Sequence, residues 1–168
     1  MRHLPAFATI LLALGSGPAS AQMITLSPGQ IGAIFCIARV GNDMAPVEAI
    51  LTPELGAAIA AAEARNDAIQ KQYPDEKPPL GDGIPWQTHP DYAAQCKAGD
   101  VTLQMDESRV AIAYAFPEYR EGNFTDTLVL KLVADSEMPE QKVWRIDDVV
   151  YATEGDLRDT LVSAFDTY

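Results

Sequence analysis

Two adjacent carboxylates, Asp147 and Asp148, interrupt the otherwise apolar stretch KVWRIDDVVY that runs from Lys142 to Tyr151. Paired carboxylates perform general acid and base chemistry when both converge on one substrate from roughly 5 to 10 Å apart. Along a regular strand the side chains alternate, so Trp144, Ile146, Asp148 and Val150 point one way while Val143, Arg145, Asp147 and Val149 point the other. The reading is therefore an ion pair between Arg145 and Asp147 on one face, and no catalytic dyad. His89 is the other residue suited to proton transfer, with Asp82 and Asp91 close to it in sequence. Placed between Thr88 and Pro90 at an expected helix entrance, it needs no more than a capping or solvent-facing role. No residue is assigned as catalytic.

One histidine after residue 21, with scattered carboxylates, makes neither a zinc nor a calcium site, and no phosphate or dinucleotide fingerprint is present, so no metal and no cofactor is expected. The aromatics Trp86, Tyr92, Tyr114 and Tyr119 are placed, with His89, Arg145 and Asp147, near a cavity mouth or a partner surface. Trp86 has a second fate open to it, pinning its loop to the core.

The chain begins with Arg2 and His3, an apolar run from Ala6 to Leu14 and the small triplet Ala19-Ser20-Ala21. That pattern predicts a secretory signal peptide over residues 1–21, cleaved after Ala21, and a periplasmic or secreted product. A run this short is below the roughly 20 residues that span a bilayer, and no later segment exceeds it. Residues 22–168 then form one expected domain; 168 minus 21 leaves 147 residues, enough for a real core. Cys36 and Cys96 are the two cysteines, and in an oxidising compartment they pair. Closing that loop constrains the unfolded chain by roughly 4 kcal/mol in the entropic description.

Several elements must position these side chains. Ser27, Pro28 and Gln30 read as a cap, a first-turn proline and a capping-box partner for a helix whose apolar face is Ile31, Ile34, Phe35 and Ala38. Thr52-Pro53 opens a second long, alanine-rich helix that stops before Pro74. Pro74 to Pro90 is a proline-rich loop. PDYAAQCKAG after it reads as a short helix, which the disulfide would staple to the first. The period then changes to 2. Val101, Leu103 and Met105 share one face of a first strand. Val110, Ile112, Tyr114 and Phe116 share a face of the second, whose opposite face, Ala111, Ala113 and Ala115, is shallow enough to let a helix lie close. FTDTLVLKLVA and KVWRIDDVVY are the third and fourth, and a final helix follows Gly155 with Leu157, Leu161, Ala164 and Phe165 on one side. The fold class is α+β: N-terminal helices on one curved antiparallel sheet of about four strands, closed by a C-terminal helix.

The formal net charge is −12, and removing residues 1–21 takes away Arg2 to leave 11 cationic against 24 acidic residues, −13. Nucleic acids and anionic membrane surfaces both demand clustered Lys and Arg and are poor partners, so no nucleic acid is expected. Acidity keeps an exported protein soluble and steers cationic partners toward it.

The helix with its following AILTPEL, the strand Val143, Trp144, Arg145, Ile146, Asp147, Asp148 and the closing helix DLRDTLVSAF resemble the nuclear transport factor 2-like group of the cystatin-like superfold. More narrowly they resemble a family of small secreted bacterial proteins in it, catalogued as a domain of unknown function. The resemblance covers the chain from about Ser27 and implies a cone-shaped sheet wrapped on a helix. Members use its open end for isomerisation, dehydration, binding or dimerisation, so the fold does not settle the activity. The expected function is that of an exported, non-catalytic binding or interaction protein of the bacterial envelope, holding a protein partner or a small apolar ligand. An inhibitor or immunity-type protein is the narrower version, and a homodimer is permitted. The alternative is a small lyase, isomerase or hydrolase working in the cone.

Overall fold

The computed structural model describes residues 25–81, 83–89 and 91–167; the expected signal peptide lies outside them. Helix α1 spans Pro28–Gly41. Its start is the anticipated capping box: Gln30 N–H donates to Ser27 Oγ at 3.4 Å and Ser27 N–H donates to Gln30 Oε1 at 2.8 Å. It ends on Asn42 in the left-handed region, φ 51°. A one-turn helix α2, Ala45–Glu48, leads to α3, Pro53–Gln72, whose N-cap Thr52 accepts from Leu55 N–H at 3.2 Å. Leu55, Ile59 and Ala62 are the buried residues of α3, so packing on this short stripe, with alanine's helix propensity, holds it in place.

Four strands follow: β1 Gln95–Gln104, β2 Glu107–Ala115, β3 Phe124–Ala134 and β4 Lys142–Val150. They pair antiparallel in chain order in a sheet that does not close. One face presents Val110, Ile112, Tyr114, Leu128, Leu130, Ile146 and Val149, all buried, to the helices. Helix α1 crosses β1 and β2 closely because residue 32 is glycine: a Cβ there would stand 2.8 Å from Val110 and 3.0 Å from Ala98. Helix α4, Leu157–Ser163, is capped by Asp156, whose Oδ1 accepts from Asp159 N–H at 2.8 Å, and it buries Leu157 and Leu161. Residues 50–52 run parallel to the outer edge of β4. Ile146 N–H donates to Ile50 O at 2.9 Å and Thr52 N–H donates to Ile146 O at 2.7 Å, so this edge is paired.

Three sequence expectations are corrected. The helix expected after Pro90 is instead the first half of β1: Gln95 pairs with Ala115 and Cys96 with Tyr114. Gly99 and Asp100, which resembled a helix stop, occupy a register shift between Ala98 and Val101. The disulfide Cys36–Cys96 is formed, with Cα atoms 5.1 Å apart, but it ties α1 to a strand. Met105 leaves the strand pattern for the β1–β2 turn at φ 49°, and it is 97% exposed. The helices cover the Val110 and Ile112 face of β2 and leave Ala113, on the alanine face, exposed. The larger side chains bury more apolar area, and Gly32 supplies the close approach from the helix side.

Candidate ligand-binding pocket

At the end of the sheet where β1 and β3 begin and β2 ends, the proline-rich loop and α1 line a half-open cavity of about 600 Å³. Trp86, His89, Tyr92 and Leu80 wall it together with Arg39 of α1. Trp86 is buried and meets Phe35 edge to face, ring centroids 6.3 Å apart, so it pins the loop and also lines the cavity. His89 stacks on Phe124 at 6.3 Å and meets the edge of Phe116 at 5.8 Å. Its Nδ1 accepts from Asp91 N–H at 3.3 Å, which leaves Nε2 as the protonated nitrogen of the neutral ring.

Two polar hubs fasten the loop. Gln87 is buried, and its Oε1 accepts from Arg39 Nη2 at 2.6 Å and Nε at 3.2 Å. Its Nε2 donates to the carbonyls of His89 and Asp91 at 2.7 and 2.6 Å. Every polar atom of that amide is used, as a buried amide requires. The second hub is Asp126 of β3, fully buried, which accepts from Thr88 N–H at 3.0 Å, Thr88 Oγ at 2.5 Å and Ala152 N–H at 2.9 Å. Tyr151 Oη donates to Pro85 O at 2.6 Å. Burial, reinforced by Asp126, Asp148 and Asp156 against a hydrogen bond from Thr160, pushes the Tyr151 phenol up to about 12.

Arg39 is 7% exposed. Its guanidinium lies over the Tyr92 ring, 5.0 Å from the centroid. Among the described residues no carboxylate forms an ion pair with it. Tyr114, expected at the cavity mouth, is instead buried behind the wall and stacked on Phe124 at 4.7 Å. Among the described residues no group meets its hydroxyl in good hydrogen-bond geometry, and the Arg39 guanidinium is the polar group nearest to doing so. Burial raises the Tyr114 pKa strongly, Asp126 adds to the rise and Arg39 opposes it, so the hydroxyl keeps its proton and can donate at any physiological pH.

Tyr119 is exposed and shares with Tyr92, Phe116 and Pro117 a shallower depression beside the cavity. Arg145 and Asp147 do not join this group. The two also do not pair with each other: Arg145 reaches Asp135 at 3.6 Å, while Asp147 meets Lys131 at 2.7 Å, Arg158 at 2.6 Å and Thr52 Oγ1 at 2.9 Å. The strict alternation expected along β4 is broken by a bulge, since Val129 faces Asp148, Leu130 faces Ile146, and Asp147 is the extra residue. Asp147 stays on the face of Arg145 and its cross-strand partner Lys131, the alternation shifts after it so that Val149 and not Asp148 shares the buried face of Ile146, and both aspartates come to Arg158, whose N–H donates to Asp148 Oδ1 at 3.2 Å. Their oxygens are committed to holding β3, β4, α3 and α4 together, which is a structural task.

The pocket residues that sequence reasoning missed are Arg39, Gln87, Thr88 and Asp126. Arg39 had a signal: Ile31, Phe35 and Arg39 recur every four residues, so a cation interrupts a buried helical stripe. Gln87, Thr88 and Asp126 had none, because their partners are brought together only by the fold.

No protein-family model matches the chain, and no curated protein or solved structure matches it. Among the described residues, no group of three or more His, Cys, Asp or Glu is placed to hold a metal ion, and no helix is long and apolar enough to cross a membrane.

Proposed function

We propose that this chain is an exported, non-catalytic binding protein of the nuclear transport factor 2-like group, which captures a small molecule between its proline-rich loop and α1. The observation that carries this reading is Arg39: a guanidinium at the cavity wall, nearly removed from water, held by a neutral amide and, among the described residues, in no ion pair. Small-molecule sites are concave and mostly apolar with a few convergent polar groups, and this cavity has that make-up. The group membership is supported by the order of elements, helices first, then an open antiparallel sheet of four strands, then a closing helix. Against catalysis stand the commitments of its acids, since Asp126 and Asp147 each already meet three donors.

The test is a thermal-shift screen of the mature, disulfide-intact chain against a broad small-molecule set, with hits mapped by amide chemical shifts. Binding that stabilises the native chain raises its Tm by mass action. The reading requires that hits perturb the segment 84–92 and the last turn of α1. Hits that map to the open sheet face instead, or a chain that takes none, would overturn it.

A further inference from the structure

A guanidinium this buried carries a desolvation cost of several kcal/mol unless counter-charge or a full set of acceptors meets it. Of its five N–H groups, two go to one oxygen, Gln87 Oε1, and the neutral Tyr114 hydroxyl is the other group beside that guanidinium. Asp126 makes its charge felt at Tyr114, but its oxygens are taken by Thr88 and Ala152. The Tyr114 hydroxyl lies close to the guanidinium but behind the cavity wall. The remaining N–H groups of Arg39 thus stand at the wall of a cavity that Trp86, Ile84, Pro85 and Leu80 also line.

We propose that the cavity takes a carboxylate-bearing small molecule with an apolar body, its carboxylate on the unused edge of the Arg39 guanidinium and its body against Trp86 and the loop prolines. This rests on the reading that the cavity is a binding site and names its ligand class. The planar fork of arginine matches a carboxylate with two parallel hydrogen bonds, and exclusion of water strengthens them. A monoanion is favoured over a phosphate dianion because the chain already carries a net charge of −12, whose field opposes each further negative charge. Gln87 and Tyr92 hold the guanidinium plane in place beforehand, so little side-chain entropy is lost on binding.

The experiment is a fluorine-NMR titration of the disulfide-intact chain with para-fluorobenzoate and with its neutral isostere para-fluorobenzamide, the site located by amide shifts. The benzoate is expected to bind at least about tenfold more tightly, to perturb residues 84–92, and to lose that advantage in Arg39→Met while Arg39→Lys keeps part of it. Equal binding of the two probes overturns the anion inference and leaves the cavity as a binding site. Binding of neither at millimolar concentration overturns both. A benzoate preference that survives in Arg39→Met removes Arg39 from the site and overturns the inference. Should Arg39→Met fail to fold, the comparison of probes on the unaltered chain and on Arg39→Lys still decides.

Discussion

Arg39 and Gln87, 48 residues apart in the chain, meet through a single oxygen: Gln87 Oε1 accepts from Arg39 Nη2 at 2.6 Å and from Nε at 3.2 Å. The partner is neutral, so the positive charge persists at the cavity wall. Gln87→Glu would neutralise it with almost no change of shape. That substitution is expected to weaken para-fluorobenzoate binding at least about tenfold. It also turns an acceptor toward the carbonyls of His89 and Asp91, which Gln87 Nε2 now satisfies, at a stability cost of about 1–3 kcal/mol. Titration and urea unfolding of the same variant separate the two effects.

Asp147 and Asp148 are expected to respond to pH with opposite signs. Burial raises the Asp147 pKa, but the hydrogen bonds from Lys131 and Thr52 and the charge of Arg158 outweigh it, and the native value lies below the usual carboxylate range. Its stabilisation is therefore complete above the unfolded pKa of about 3.9 and is lost as pH falls through the native value. Burial raises Asp148, with Asp156 adding and the N–H groups of Val149 and Arg158 opposing, and the native value lies above that range. Ionised Asp148 thus destabilises the fold above its native pKa, and that cost disappears below the unfolded one.

At pH 7, Asp147→Asn should lose about 1–3 kcal/mol, whereas Asp148→Asn should be neutral or gain up to about 1 kcal/mol, since an amide oxygen still accepts from both N–H groups. Urea midpoints measured from pH 3 to 8 check this. Equal losses in the two variants would contradict the distinct roles assigned to them.

Breaking the Cys36–Cys96 bridge should lower stability by roughly 2–5 kcal/mol. It should also weaken ligand capture, because Cys36 sits one turn before Arg39 and the bridge anchors that turn to β1. Denaturation with and without reductant, followed by titration of the reduced chain under native conditions, measures both.

Tyr151→Phe removes the hydrogen bond to Pro85 O, a loss of about 0.5–1.5 kcal/mol. Hydrogen exchange should quicken in residues 84–89 while the amides of β2 and β3 keep their protection. Uniform acceleration would mean that Tyr151 supports the whole domain and not the loop.

Local chemistry made much of the fold legible in the sequence. Ser27-Pro28 and Thr52-Pro53 announce α1 and α3 because each cap satisfies backbone donors within four residues. The alternation of Val110, Ile112 and Tyr114 announces β2 because one face is wholly buried. Gln95–Ala98 escaped this reasoning: with Gly99 and Asp100 beside it, the stretch becomes a strand only through pairing with Ala115 to Ile112, a tertiary contact. The bulge at Asp147 is likewise invisible, since alternation presumes a register that the partner strand sets. Trp86, His89 and Tyr92, in or just after the proline-rich stretch, line the cavity. The charge that gives that cavity its proposed chemistry, Arg39, lies far away on α1, and only the fold brings it to the loop.

The most direct measurement of the central proposal is native mass spectrometry of the chain purified gently from the cells that make it, beside Arg39→Met prepared the same way. The account predicts a population carrying an added mass of a few hundred daltons, an organic acid on release, that is absent from the variant. A bare chain in every preparation, or the same adduct on Arg39→Met, would contradict it.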